Sequence, residues 1–442
     1  MIFSGHFMIN TKYVRDNIKS IRESMDKRKS KYPLDELLKL DEDSRTIQKQ
    51  IQDLQMKRNK GSKEISEAKK SGKHVDESKA NELAEIGDQI TELEKKASAG
   101  KERIDELIWN MPNTLDDSVP YGKDDTENVE IKKVGAIRKK DMPTHSEILE
   151  KLDLVELEQA AKVSGARFYY FKGELALLEQ ALIHFAIDRL TKKGYELIAP
   201  PLMLKKEYYR GATALGDFEE LLYKVADTTE SKARKDYEHI DDELFLISTS
   251  EHAIAALNSG KIFSSNDLPK KYIGISPCFR REAGSHGKDT KGIFRTHQFN
   301  KVEQFIISKQ EDSEKFFDEL INNTEELWKE LEIPYHVINI CTGDIGTVAS
   351  KKYDIEAYMP GQDKFREVVS CSNCTDWQSV RLDIKYDEKG ERKYAHTLNS
   401  TAIATGRALV AIVENYYLDN GNIRVPDVLI PYMNGIKTIG KK

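Results

Sequence analysis

Apolar residues return every three or four positions along two consecutive stretches of this chain. The first register runs Leu40, Ser44, Ile47, Ile51, Leu54, Arg58, Gly61, Ile65, Ala68, and the second runs Leu83, Ile86, Ile90, Leu93, Ala97, Gly100, Ile104, Leu107, Met111. Steps that alternate four and three draw one seam down the side of a helix. Ser71-Gly-Lys-His74 separates the two registers as a breaker, so the pattern predicts two helices folded back into an antiparallel coiled coil. Between seam positions the residues are mostly Lys, Glu, Asp, Gln and Ser, which leaves no second face to bury. At 1.5 Å per residue, about thirty residues per helix give an arm roughly 45 Å long.

The helical period stops near Pro112-Asn113, and the polar stretch from Asp116 to Glu130, with Pro120 and Gly122, reads as a linker. The expected organisation is an N-terminal domain over residues 1–115, a linker over 116–130 and a second domain over 131–442. In the second domain, helical patterns at Ser146 to Ala161 and Glu174 to Lys193 give way to short β-like runs. These are Glu196 to Ala199, Leu244 to Ile247, Tyr272 to Ile275, Lys301 to Ile307 and His336 to Ile340. Closely spaced strands that outnumber the helices between them point to an α+β fold with an antiparallel sheet flanked by helices. A mixed-charge stretch around residues 227–242 reads as a surface insertion. No glycine-rich phosphate loop is present, so a nucleotide bound here would be held by side chains.

The chain has 442 residues and a formal net charge of −6, so nucleic-acid binding would need a local basic surface. The distal half of the arm supplies one in Lys57, Arg58, Lys60, Lys63, Lys69, Lys70 and Lys73. These residues fit a solvated coiled-coil face, a protein–protein rod, or phosphate contact along a nucleic-acid backbone. Four cysteines in a chain this long fit a reducing compartment rather than a disulfide scaffold. Cys371-Ser-Asn-Cys374 has the spacing of a metal-binding pair, but no second pair completes a site, and no zinc is expected. Met1 to Asn10 lacks the features of a secretion signal, and no apolar run is long enough to span a bilayer. A cytoplasmic location is expected.

The chemistry concentrates in Cys278-Phe-Arg-Arg-Glu-Ala-Gly-Ser-His-Gly-Lys-Asp-Thr-Lys-Gly-Ile-Phe-Arg-Thr-His-Gln-Phe299-Asn-Lys-Val-Glu303. Apolar ends around a charged, glycine-containing middle predict a strand, a long loop and a returning strand. Arg280 and Arg295 enter and leave the loop, and two guanidinium groups on adjacent strands suit a phosphate chain. Phe299 and Glu303, four apart on one strand, share a face, where a ring can stack on a base and a carboxylate can meet an ammonium.

This segment resembles motif 2 of the class II aminoacyl-tRNA synthetases, in the form typical of the seryl-tRNA synthetase family. Gly194-Tyr-Glu-Leu-Ile-Ala-Pro-Pro201 resembles motif 1, whose proline lies at a dimer interface. Asn399-Ser-Thr401-Ala-Ile-Ala-Thr-Gly-Arg407 resembles motif 3, whose arginine reaches the ATP tail. Lys162 to Phe168, Thr342 to Gly346, Tyr353 to Glu356, Glu367 to Ser372 and Val425 to Gly435 are also similar to the family, so the likeness covers nearly the whole chain.

The resemblance implies a class II catalytic domain and a homodimer that activates L-serine with ATP and transfers it to tRNA(Ser). Whether selenocysteine tRNA is also charged stays open. It further implies that Arg280 holds the ATP α-phosphate and the serine carboxylate, and Glu282 the adenine amino group. Arg295 and Arg407 would hold the outer phosphates, Phe299 would stack on adenine, and the Thr296 backbone would contact the base. The segment Glu367, Val368, Val369, Ser370 would line the nucleotide, with Glu367 and Ser370 ligating Mg²⁺. Arg280, Glu367 and Arg407 are the expected catalytic residues. Glu251 and Glu303 would meet the serine ammonium and hydroxyl, with Thr249, Asn399 and Thr401 completing that pocket. The arm would contact the long variable arm of serine tRNAs. The chemistry needs no protein base, so His286, His297 and His396 are not assigned one. Two rivals remain on sequence grounds: a relative that charges a carrier protein, which would lack the arm, and a non-catalytic tRNA-binding or coiled-coil protein.

Overall fold

The computed structural model describes residues 11–71, 77–137, 142–214, 219–225, 243–282 and 291–440. Contacts divide the chain into two compact units, Met1–Pro112 and Asn113–Lys442. Most of the predicted breaker, the insertion around 227–242 and the loop interior containing His286 lie outside the described residues.

In the first unit, helices Leu34–Lys70 and Glu77–Trp109 pair along the predicted seam. Ile51, Ile86 and Ile90 are buried between them, with Ile47, Leu54, Leu83, Leu93 and Ala97 packed around. Gly61 sits in the seam because a Cβ there would come within 2.7 Å of Leu83, so the small residue permits close helix approach. The first long helix starts six residues before the expected Leu40, and two short helices, Thr11–Asp16 and Ile18–Lys27, precede it. Their apolar side, Val14, Ile21 and Met25, is buried. Arg15 pairs with Asp41, and Arg103 with Glu36 at 2.8 Å.

The second unit is built on an eight-stranded sheet. Numbered in chain order, its strands are β1 Val129–Val134, β2 Glu196–Ile198, β3 Lys270–Phe279, β4 Gln298–Ser308, β5 Tyr335–Asn339, β6 Lys351–Met359, β7 Lys364–Asn373 and β8 His396–Ala404. Their spatial order is β1-β5-β6-β7-β8-β4-β3-β2, and only β2 and β3 pair in parallel. Helices Gly173–Thr191, Ser313–Glu330 and Thr405–Asn415 contribute to the main core with Val302, Ile306, Ile355, Val369, Leu398 and Ala402 of the sheet. Period-two alternation sends Phe305 and Ile307 to the opposite face, where they join Ile254 and Ala255 of helix Ser250–Leu257.

Two expectations change. The helix expected over Ser146 to Ala161 is two helices, His145–Lys151 and Glu158–Ser164, with a short strand Val155–Glu156 between them. The first helix ends where Asp153 turns into the left-handed region at φ 56°, a conformation that stops a helix. The stretch 116–130, expected as a linker, packs on the sheet instead. Asp116 donates its amide to the Ser350 carbonyl, Val119 is buried with Ile338, Ile340 and Ile345, and Val129 and Glu130 already belong to β1. Among the described residues no helix is long and apolar enough to cross a membrane.

Candidate active site

The alternation that builds the main core also opens a cleft on the other face of the sheet. Along β4, Phe299, Lys301 and Glu303 point into it while Val302 and Ile306 point away. The cavity holds about 430 Å³, within the roughly 300–1,000 Å³ typical of small-molecule sites. Thr249, Glu251, Arg280, Glu282, Arg295, Thr296, Phe299, Glu303, Glu367, Val368, Ser370, Asn399, Thr401 and Arg407 all line this one cleft. Val369 does not, and its side chain belongs to the core. The register explains the exception: Ile355 pairs with Val369 but Glu356 with Glu367, so Val368 is an extra, bulged residue. The bulge turns Glu367 to the cleft, keeps Val368, itself buried, on the cleft wall and leaves Val369 wholly in the core.

The deep end is acidic. Register places Glu303 between Gly274 on β3 and Thr401 on β8. A Cβ on Gly274 would come within 2.4 Å of Ser250 Oγ; its absence lets helix Ser250–Leu257 lie on the strand and carry Glu251 to this end. Thr249 caps that helix through the Glu251 amide. Glu251 accepts a hydrogen bond from Gln378 Nε2 at 2.8 Å. Burial, reinforced by the Glu303 charge, pushes its carboxyl up to about 7. Glu303 pairs with Lys301 at 2.6 Å, both buried. The Asn399 amide donates to Cys374 Sγ at 3.5 Å. His252, also lining this end, is pulled down to about 3 by burial and by Lys301 and Arg280, and so stays neutral.

The other end is rich in cations. Arg280 and Arg295 lie just beyond the strand ends rather than on adjacent strands as expected, because β3 stops at Phe279 and β4 begins at Gln298. The Arg280 guanidinium stands 5.3 Å from the Phe299 ring centroid. Arg295 meets Glu282 at 3.0 Å. Arg407, in the first turn of helix Thr405–Asn415, donates to the Glu367 carbonyl at 2.9 Å and meets its carboxylate at 3.1 Å. Burial works to raise the Glu367 carboxyl, but Arg407, Lys352 and Arg280 outweigh it and hold the group below the usual carboxylate range. Lys352 on β6 keeps its charge against burial because Asp354, Glu367 and Asp344 surround it.

Sequence reasoning missed Lys301, Lys352, Asp344 and Phe294, all of which line the cleft. Lys301 was findable, being two positions from Glu303 on the same strand face. Asp344 and Asp354 lie in segments that resemble the family without a role implied for either residue. Phe294 carried no signal; its ring packs under Arg366 at 4.1 Å and Arg407 at 5.1 Å. His297 and His396 do not line the cleft; His297 Nδ1 faces the Arg280 carbonyl at 2.8 Å, and burial takes His396 down to about 4. Cys371 and Cys374 are both buried thiols. Among the described residues no group of three or more His, Cys, Asp or Glu side chains gathers as metal ligands. In the first unit, Lys57, Arg58, Lys60, Lys63 and Lys70 are exposed on helix Leu34–Lys70, while the Lys69 side chain and Lys73 lie outside the described set.

Comparisons with known proteins agree across both units. Residues 8–115 match the seryl-tRNA synthetase N-terminal domain, and residues 228–416 match the tRNA synthetase class II core domain (G, H, P, S and T). A serine–tRNA ligase of Methanocella arvoryzae is 45% identical over 97% of this chain and 100% of its own length. The crystal structure of seryl-tRNA synthetase from Pyrococcus horikoshii complexed with ATP superposes with a TM-score of 0.89 at 45% identity, covering 98% of this chain and all of that one. The cytoplasmic serine–tRNA ligase of Naegleria fowleri in complex with AMP gives 0.84 at 36% identity, over 98% and 97% of the two chains. Matched over both units, and by relatives 45% identical along nearly its whole length, the chain belongs to the seryl-tRNA synthetase family.

Proposed function

We propose that this cleft binds ATP and serine side by side and carries both steps of the family's reaction by positioning and charge neutralisation. The chain activates serine with ATP and transfers it to tRNA. In the first step the serine carboxylate attacks the α-phosphorus, giving seryl-adenylate and pyrophosphate; in the second the terminal ribose hydroxyl of tRNA takes the acyl group. The attacking carboxylate is already ionised at neutral pH, so the first step asks no proton transfer of the protein. What remains is alignment and stabilisation of developing negative charge.

Each residue's place supports a role. Arg280 lies where the acidic and cationic ends meet, suited to grip both the α-phosphate and the serine carboxylate. Arg295 and Arg407 hold the outer phosphates of a bent ATP, Phe299 stacks on adenine, and Glu282 accepts from its amino group. Thr296 and the Val368 backbone flank the base. Glu251 with Thr249 takes the serine ammonium, while Glu303 with Thr401 and Asn399 takes the hydroxyl. A site built to hydrogen-bond that hydroxyl rejects alanine, which leaves the site one hydrogen bond short.

Magnesium fits as a companion of ATP. Glu367, kept ionised by three neighbouring cations, and Ser370 would supply the hard oxygen ligands magnesium prefers, with phosphate and water as the others. When bound, the ion neutralises phosphate charge. Homodimer formation is supported by exposed Leu197, Leu202 and Met203 beside Pro201, apolar surface of the kind that marks an interface. The exposed cations on the arm support contact with tRNA phosphates, read by shape more than by sequence.

The observation that carries the reading is that the separately predicted ATP and serine residues share one cavity. Serine-dependent exchange of labelled pyrophosphate into ATP tests it. Exchange that requires serine and is not supported by alanine is expected; no exchange with active magnesium–ATP and serine overturns it.

A further inference from the structure

Behind the cationic end of the cleft lies a buried pair that the reaction does not use. Glu414, in the last turn of the helix that begins near Arg407, is fully buried and His145 nearly so. One Glu414 oxygen accepts from the His145 backbone N–H at 3.0 Å and faces its Nδ1 at 3.1 Å; the other accepts from the Gly361 amide at 2.9 Å. The far side of the imidazole faces the cleft wall, where Nε2 meets the Ile293 amide at 3.3 Å. A carboxylate on one side and an N–H on the other set the tautomer: Nδ1 donates to Glu414 and Nε2 accepts from Ile293.

The fit around Nε2 is close. Gly292 has φ +82°, and a Cβ there would fall 2.1 Å from His145 Nε2 and 2.4 Å from Ser146 Oγ. Only glycine lets the chain lie against the imidazole at this point. The next three residues, Ile293, Phe294 and Arg295, all line the cleft. The Phe294 ring sits beneath the Arg407 guanidinium. Gly406 also approaches this limb, since a Cβ on it would stand 3.0 Å from the Ile293 carbonyl. The limb returning from the long loop therefore touches the start of the Arg407 helix directly, and reaches the end of that same helix through His145 and Glu414.

We propose that His145 is a positioning residue for ATP: the Glu414–His145–Ile293 relay fixes the wall carrying Phe294 and Arg295 in register with Arg407. Glu414 fixes the imidazole, and the imidazole satisfies and locates the Ile293 amide of the wall. The serine end rests on other elements, namely Thr249, Glu251, Glu303 and Asn399, and does not depend on the relay. The inference rests on the assignment of the cationic end to ATP.

Two substitutions separate the imidazole's functions. His145→Gln places an amide oxygen near Nε2 and keeps an acceptor for Ile293. His145→Asn keeps a donor near Nδ1 but removes that acceptor. In serine-dependent pyrophosphate exchange, H145N raises KM for ATP about tenfold, the effect of one buried donor left unmet, while H145Q stays within about threefold of the parent. KM for serine is unchanged in both. Equal effects of the two variants, or a matching rise in serine KM, overturn the relay. Hydrogen exchange on the unsubstituted protein needs no variant to fold: a protected Ile293 amide is expected, and exchange at the rate of an open amide overturns the proposal. Arg407→Ala in the same assay distinguishes the two levels. If R407A leaves ATP KM unmoved, the ATP assignment fails; if R407A weakens ATP and H145N does not, only the relay fails.

Discussion

Glu251 shows how the cleft sets the charge of a single side chain. Its carboxyl is raised to about 7 by burial and by Glu303, so in the free protein it is protonated below that pH and ionised above it. A serine ammonium needs the ionised form. KM for serine should therefore rise as pH falls from 7 toward 6, by up to about tenfold for one proton displaced, and level off above 7. The stability consequence has the opposite direction. A carboxyl whose folded value exceeds its unfolded one costs nothing below about 4.5 and its full amount above 7. Glu251→Gln should thus raise Tm at pH 8 and not at pH 4.5, by the equivalent of about 1 kcal/mol once water in the cleft is allowed for, while abolishing serine-dependent exchange. A Tm unchanged at both pH values contradicts the assignment of the raised group.

At the scale of elements, legibility followed how cleanly period and burial coincide. The arm was readable because its seam is largely apolar and the positions between are mostly polar or charged, which brings Ile51, Ile86 and Ile90 together. Strands β3 and β4 were readable from apolar runs. β6, β7 and β8 went unread as strands because half of their side chains, among them Lys352, Glu367, Ser370 and Thr401, face a polar cleft rather than a core. The motifs nevertheless located those residues, since a resemblance carries positions that hydropathy hides. Val369 was misplaced because no pattern announces a bulge at Val368. His145 stayed invisible for a related reason: its partners, Glu414 and Ile293, are 269 and 148 positions away. The arm makes its own prediction. Replacing Lys57, Lys60 and Lys63 with alanine should raise KM for tRNA about tenfold or more, with a shallower salt dependence, and leave pyrophosphate exchange untouched. Unaltered charging across a salt series would return the arm to the reading of a solvated coiled coil.

For the whole molecule, each unit supplies what the other lacks: the sheet carries the cleft proposed for ATP and serine, and the arm carries exposed cations on a coiled coil. The proposed self-association is tested at this scale. Leu197→Asp, which puts a charge on the exposed apolar strip beside Pro201, should shift the mass measured by light scattering from dimer toward monomer and lower activity with it. A monomeric parent protein would remove the dimer from the account. In the proposed mechanism, one cleft of arginines and a cation-held carboxylate aligns ATP beside a serine pocket. Arg280→Ala tests it most directly, because that side chain is assigned to both substrates at the reacting phosphorus. Serine-dependent pyrophosphate exchange should fall by roughly 10²–10³ with Tm within a few degrees of the parent. Exchange within about threefold of the parent would contradict the account.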